Sequence, residues 1–463
     1  MTVAIIGAGI TGLTLALELK KKGLGIRVYE SSPEVGGVMK TLQKDGWLAE
    51  GGPNSIFETS TRIKNLIDDC NLRDQVLYTS PKAEKRYVVK NGAPAAVPGS
   101  PIQFIKSNLL SNKSKLLILK EPFVKPKPDD EEESLADFVR RRLGEEVLDY
   151  FAYPFVGGIY SGDPEKLSVK YAFKRFYTLE KKYGSIILGQ FKAAKERKEH
   201  EIPRNKAKSF SFKAGLQTLP KAIHQRLGGD VKTNTQVIAI NHNNNSYQVD
   251  TECDGEITRH TYDAVVYCGA AHSLDKIDIK SSGPTDVSEL TKIPYPSVSS
   301  IALGFRKDQI DHPLDGFGIL LPKKEDYKIL GTQFNSTVFP GRTPDKDHVL
   351  LTTFVGGARF QEATTMDDKE LLNIIMNDLD GLLGVKGSPV FVKHTRWPKA
   401  IPQYELGYGT FLNIMDSVEK ENPGLYLAGN YRSGIAVGDC ISNSVELAER
   451  ITNDISHIKK INK

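Results

Sequence analysis

The sequence predicts an α/β protein with a discontinuous first domain, and three observations carry that prediction. Val3 to Glu30 (VAIIGAGITGLTLALELKKKGLGIRVYE) reads as strand, tight turn, helix and second strand. Gly424 to Asp439 (GLYLAGNYRSGIAVGD) reads as a returning strand and a glycine-rich turn. Between them lies helical patterning and then a series of short β-branched strands. In the first stretch, Gly7, Gly9 and Gly12 keep the G-x-G-x-x-G spacing that brings a helix N-terminus up to a pyrophosphate. Glu30 closes the second strand, where an acid accepts hydrogen bonds from a ribose 2′-hydroxyl and repels an additional phosphate. A Rossmann-type domain holding an adenine dinucleotide is the expectation.

The elements follow in order. After Glu30 come SSPEVGGVMKT, with Gly36, Gly37 and Lys40, and GWLAEGGPNS, Gly46 to Ser55. Paired glycines let backbone amides approach a phosphate chain that a larger side chain would hold off. Ala83 to Pro101 predicts a hairpin turning at Asn91-Gly92 and leaving through a proline-rich exit. Helical patterning runs from there to about Lys208, interrupted by the charged linker Lys125 to Glu133. Ser211 to Leu227 is expected as a helix leading into strand-like TQVIAI, and Asp263 to Ala271 as a buried strand. SVSSIALGF, GFGILLP, KILGTQF and HVLLTTFVGG then predict an antiparallel sheet forming one wall of a substrate cavity. The expected division is 1–80, 211–273 and 413–463 for the dinucleotide domain, 81–101 with 274–412 for a mixed-sheet substrate domain, and 102–210 for a helical domain.

Composition narrows the class. The 463 residues suffice for about three domains, and 39% hydrophobic content is that of an ordinary globular protein. No run of eighteen apolar residues offers a membrane span. The first strand starts at Val3, which leaves no room for a cleaved leader, so a cytoplasmic protein is expected. Cys70, Cys253, Cys268 and Cys440 lack metal-ligand spacing and read as reduced thiols, so no metal is expected. The net charge is only +5, yet Lys170 to Lys208 holds 12 Lys and Arg against 4 Glu, interleaved with Phe173, Phe176, Tyr177, Tyr183, Ile186, Ile187, Leu188 and Phe191. That stretch fits an interfacial membrane element and a well-solvated helix pair equally. Nucleic acid is not expected, because no recognition module is visible.

Longer motifs carry a resemblance. Pro154 to Phe173 (PFVGGIYSGDPEKLSVKYAF), LEKKYGSII, Phe354 to Arg359 (FVGGAR), Arg396 to Tyr404 (RWPKAIPQY) and Leu427 to Ile441 (LAGNYRSGIAVGDCI) resemble the oxygen-dependent protoporphyrinogen oxidases, in order and over nearly the whole chain. The Gly36-Gly37 turn, Lys40 and the Gly-Gly-Pro-Asn turn likewise look like the grip that amine oxidase-type flavoproteins place on FAD. The resemblance implies FAD, and a porphyrinogen that gives six electrons to oxygen in three two-electron steps with release of peroxide. It also implies a helical domain that associates peripherally with the inner face of the cell membrane, and it leaves a homodimer open. No Ser-His-Asp or Cys-His arrangement and no metal cluster is expected, because hydride loss from a meso carbon needs orientation and exclusion of water more than a strong acid or base.

For FAD the resemblance implies Gly7, Gly9, Gly12, Glu30, Gly36, Gly37, Lys40, Ser55, Val237, Trp397, Gly429, Ala436 and Val437, with Val237 offering backbone bonds to the adenine and Trp397 bordering the isoalloxazine. For the substrate it implies Arg86 on a propionate, Phe339 stacked on a pyrrole, Gly162 as a small residue beside the macrocycle and Leu320 on the opposite face. Gly407-Tyr408, where many relatives have Gly-His, and Asn443, near which a glycine is usual, depart from the pattern. Protoporphyrinogen IX is favoured over coproporphyrinogen III, with Lys85 beside Arg86 as a candidate second rim cation. A flavin amine oxidase or desaturase would keep the two ends and change the interior, and a non-enzymatic escort of the same fold would purify colourless.

Overall fold

Val3 to Ile6 and Ala264 to Tyr267 are apolar without alternation, the signature of strands covered on both faces, and they form the centre of a parallel sheet. In the computed structural model, which describes residues 1–128, 131–199, 208–243, 246–281 and 286–461, five parallel strands lie in the order Val231–Lys232, Gly25–Tyr29, Thr2–Ile6, Ala264–Tyr267 and Leu425–Leu427. Helices Ile10–Lys21, Thr218–Leu227 and Val437–Ile461 cover one face through Leu13, Leu19, Leu219, Ile223, Ala448 and Ile451. The sheet built on Gln236–Asn243 and Ser246–Cys253, together with helix Gly409–Glu421, covers the other face.

One expected element is corrected. Ser211 to Leu227 is not a single helix: Ser209–Phe212 is a fully buried strand that pairs antiparallel with Ile56–Phe57 and Val76–Tyr78, and the helix starts only at Thr218. Ser-Phe-Ser-Phe alternates with period two, and Gly215 at φ +88° turns the chain before the helix can begin.

A second sheet holds seven strands in the order Phe391–Trp397, Val298–Arg306, His348–Gly356, Ile329–Gln333, Gly316–Leu320, Lys85–Lys90 and Ala93–Ala96. All its pairs are antiparallel except Gly316–Leu320 with Lys85–Lys90. The last two strands are the hairpin, with Asn91 at φ +54° and Gly92 at φ +76° as its turn. One face packs Ile301, Leu303, Phe305 and Leu351 against Leu371, Ile375 and Leu379 of helix Asp368–Leu383. On the other face the register lines up Thr395, Ser300, Phe354, Gly331, Leu320 and Val88 across six strands.

Residues 101–199 are mostly helical, around a core of Leu135, Phe138, Leu148, Val156, Leu167, Leu179 and Ile186. Inside this region Arg142 is fully buried between the carboxylates of Glu121 and Glu180, and Glu121 also accepts the Ile186 backbone N–H at 2.8 Å. Helix Tyr153–Ile159 lies close on the seven-stranded sheet: a Cβ on Gly158 would stand 2.6 Å from Leu320 Cδ2. Phe173, Phe176, Tyr177, Tyr183 and Ile186 of the basic stretch point into or against this core, while Leu188 and Phe191 are exposed. Residues 200–207 of that stretch lie outside the described residues.

Candidate active site

The three motif glycines do different things. Gly7 sits at φ +104°, and a Cβ there would lie 3.2 Å from the Cys268 backbone. A Cβ on Gly12 would stand 2.0 Å from Gly7 O, so Gly12 is what lets helix Ile10–Lys21 close on the sheet. Gly9 at the helix N-cap meets nothing within 4 Å, which leaves the space where the helix N–H groups and dipole favour an anion. The second glycine pair joins this turn: Gly36 N donates to Ala8 O at 2.8 Å, and a Cβ on Gly37 would lie 3.5 Å from Gly9 Cα.

Glu30 stands beside them, its carboxylate accepting the Ala8 N–H at 2.8 Å and the Ser32 N–H at 2.9 Å. Thr235 N donates to Glu30 O at 2.9 Å, which brings the start of Val237's strand to the same place. Val237 itself is buried, at a bulge in its pairing with Ser246–Cys253. Gly7, Gly9, Gly12, Glu30, Gly36, Gly37 and Val237 are thus gathered at one end of the parallel sheet. An open glycine turn at a helix N-terminus, a neighbouring acid and a second glycine pair fit the pyrophosphate and ribose of a dinucleotide.

The remaining expected cofactor residues come from three distant segments. Lys40 Nζ lies 5.9 Å from the Trp397 ring centre, and Trp397 Nε1 donates to Gly51 O at 2.8 Å. Gly51 N in turn donates to Lys40 O at 2.7 Å, and a Cβ on Gly52 would overlap Val38 O at 2.2 Å. Ser55 ends this turn, half-buried. From the C-terminal side, Gly429 at φ +149° passes the Tyr431 ring, which a Cβ would approach to 2.7 Å. Tyr404 Oη donates to Asn430 O at 2.5 Å and accepts from Gly434 N at 2.9 Å. Ala436 and Val437 follow at the start of helix Val437–Ile461, which Ser444 fastens to the first helix by donating to Thr11 O at 3.0 Å. Burial pushes the Cys440 thiol up to about 11 and the Cys268 thiol and Tyr404 phenol higher still, so all three stay protonated and unreactive.

On the substrate side, Arg86 is exposed, 5.3 Å over the Phe317 ring, and no carboxylate partners it among the described residues. Lys85 is not a free rim cation, because its ammonium is paired with Asp315. Leu320 is half-buried in the cross-sheet row described above. Phe339 is 1% exposed and packs with Ala83, Val338 and Phe317. It caps the short helix Asn335–Val338 rather than lying in a strand. A Cβ on Gly162 would lie 2.0 Å from Gln403 Oε1, so that glutamine dictates the glycine. Gly162 lines a separate cleft of about 330 Å³ with Tyr153, Lys323 and Arg359. Arg86, Phe317 and Phe339 are therefore brought together, with Leu320 on the adjoining strand and Gly162 apart. Asn54 and Asn335, bonded side chain to side chain at 2.8 Å, were not marked by the sequence; only the Gly-Gly-Pro-Asn turn hinted at the first.

From residue 10 to residue 452 the chain matches the flavin-containing amine oxidoreductases, and it belongs to that family. It is 36% identical to Protoporphyrinogen oxidase 2, chloroplastic/mitochondrial, of Arabidopsis thaliana, covering 97% of this chain and 93% of that protein. It is 35% identical to the mitochondrial protoporphyrinogen oxidase of Nicotiana tabacum, over 99% and 95%, and 29% identical to the Bacillus subtilis coproporphyrinogen III oxidase, over 95% of each. Within the family the chain falls among the protoporphyrinogen oxidases, and its cofactor is FAD. The fold is shared with solved structures of an Exiguobacterium protein (TM-score 0.80, 21% identical, 98% of this chain and 99% of that one) and of a putrescine oxidase variant (TM-score 0.74, 16% identical, 98% and 100%).

Proposed function

We propose that this chain oxidises protoporphyrinogen IX to protoporphyrin IX, in preference to coproporphyrinogen III, with oxygen as acceptor and peroxide as by-product. The observation that carries the reading is the sheet face between Trp397 and Arg86. Five strand spacings of ~4.8 Å separate their strands, about 24 Å, a span wider than a flat macrocycle with a cation at its far edge, and helix Tyr153–Ile159 packs on the same face at Leu320, so a macrocycle lying there would sit against that helix. Among the described residues Arg86 stands unpaired over Phe317 while Lys85 is committed to Asp315, and a single cation at that position suits two neighbouring propionates better than four distributed around the ring. Full-length likeness to named protoporphyrinogen oxidases supports the same choice.

Bound FAD supplies the hydride acceptor. The protein's own part is placement: Gly9, Glu30, Gly36 and Gly37 seat the dinucleotide, Trp397 and the Gly51–Ser55 turn border the ring, Arg86 anchors a carboxylate, and Leu320 with Phe354 gives the macrocycle an apolar floor. Purified yellow protein, given both porphyrinogens in air, should turn protoporphyrinogen IX into red-fluorescent product faster. Faster turnover of coproporphyrinogen III would reverse the preference, and no turnover of either would end the reading. Arg86→Ala should raise KM about tenfold with a smaller change in kcat.

A peripheral membrane attachment is part of the same reading, and one patch favours it. Phe123 is 86% and Leu119 71% exposed, Ile102 and Leu116 of the same helical region are exposed as well, and Lys113, Lys115 and Lys120 are interspersed with Leu116 and Leu119 along the chain. Exposed apolar side chains among lysines suit an anionic bilayer surface. Among the described residues no helix is long and apolar enough to cross one.

A further inference from the structure

The turn at the flavin-ring end and the seven-stranded sheet meet in a pair of amides that ends in an unused acceptor. Asn54 Nδ2 donates to Gly52 O at 3.2 Å, which leaves Asn54 Oδ1 facing Asn335. Asn335 Nδ2 donates to that oxygen at 2.8 Å. Two bonds in series settle both amide orientations, because each amide has one donor end and one acceptor end. Asn335 Oδ1 is then the free end, buried and without a partner, on a residue only 4% exposed. A folded protein seldom leaves a buried carbonyl unmet unless a ligand or water meets it.

Its position is specific. Asn335 opens the short helix that ends at Phe339, and Asn54 belongs to the turn that Trp397 holds through Gly51. Gln333 Nε2 and Thr352 Oγ1, paired across adjacent strands nearby, are also buried without partners. This polar corner lies between the Gly51–Ser55 turn and the seven-stranded sheet.

We propose that Asn335 Oδ1 accepts a hydrogen bond from a pyrrole N–H of the bound porphyrinogen, with Asn54 as the positioning residue that aims it. The inference rests on the porphyrinogen reading above. Every pyrrole nitrogen of the reduced macrocycle carries a hydrogen, so its interior offers donors only, and a fixed acceptor is the group that recognises it. When the meso C–H bond breaks, the hydrogen leaves with its electron pair for the flavin. The positive charge spreads to the adjoining pyrrole N–H, which then releases its proton to water and becomes an imine nitrogen. One hydride and one proton leave per two-electron step, and over the three steps one of the protons comes from the fourth meso carbon as the ring tautomerises, so that two N–H groups remain. A carbonyl on that N–H binds more tightly as charge develops, and so acts on the step rather than on affinity.

The test is anaerobic rapid mixing of the holoenzyme with porphyrinogen, following the flavin absorbance. Asn335→Ala should bleach about ten- to a hundredfold more slowly, with KM within about threefold of wild type and FAD content and reoxidation by oxygen unchanged. Asn335→Asp keeps an acceptor but loses the amide that donates to Asn54 Oδ1, so it should recover only part of the rate, to about that of Asn54→Ala. Asn54→Ala should slow the same step, and the double variant should be no slower than Asn335→Ala alone. Should Asn335→Ala lose its fold, Asn335→Leu carries the same expectation. Bleaching at the wild-type rate in a folded Asn335→Ala or Asn335→Leu variant overturns the contact. A wild-type flavin left unbleached by both porphyrinogens overturns the parent reading and this contact with it.

Discussion

Gly9 and Gly12 belong to one motif, yet a methyl group tests them separately. Gly9 has φ −69° and open space around it, so Gly9→Ala should fold and melt as the wild-type apoprotein does while purifying with less FAD, because the added carbon enters the anion seat. Gly12→Ala puts a carbon 2.0 Å from Gly7 O and should cost about 1–3 kcal/mol or more of stability with or without cofactor. Flavin absorbance per protein and a thermal melt of each apoprotein separate the two, and equal melting temperatures would refute the division of labour. These glycines were legible because a strand, a turn and a helix in direct succession fix their neighbours. Asn335 was not, since its partner Asn54 is 281 residues away and no local pattern links them. Arg86 was set apart from Lys85 only by the family resemblance, with Lys85 left as a candidate second cation; Asp315, brought in by the parallel pairing of two strands, takes Lys85 and leaves Arg86.

At the level of elements, the hairpin carrying Arg86 is held to strand Gly316–Leu320 through Asp315, whose carboxylate pairs with the Lys85 ammonium and accepts the Tyr87 hydroxyl at 2.6 Å. Lys85 first, then Tyr87, hold the Asp315 carboxyl below its ordinary 3.8, and burial pushes the Tyr87 phenol up to about 12. A carboxyl depressed in the fold adds stability that is whole above its unfolded value and is lost as pH falls below it. Asp315→Asn should therefore melt lower than wild type at neutral pH, with the gap closing below about pH 3.8. A gap that persists through acid would detach Asp315 from this role. The hairpin could be placed from its Asn-Gly turn, whereas strand Ser209–Phe212 went unseen and its last two residues were lost into the expected helix, because four alternating residues are too few to outvote the helical pattern that follows.

For the whole molecule, the helical region presents Leu119 and Phe123 outward while its own core is knit around Arg142, so that face is free to serve a surface without loosening the fold. Leu119→Asp with Phe123→Asp should lower partition onto anionic vesicles by at least about tenfold and leave the melting temperature and turnover of detergent-dispersed substrate unchanged. Unchanged partition would move the attachment elsewhere. The strand order of the parallel sheet has a further consequence, for synthesis on the ribosome. Strand Leu425–Leu427 and the Gly429 turn complete a site that Gly7 begins, about 420 residues earlier. At roughly 5–20 residues per second, the first glycine turn waits roughly 20–80 s for its counterpart. The nascent chain therefore carries half a nucleotide seat until strand Leu425–Leu427 has been made, and cofactor loading becomes a checkpoint that only chains reaching the Gly429 turn can pass.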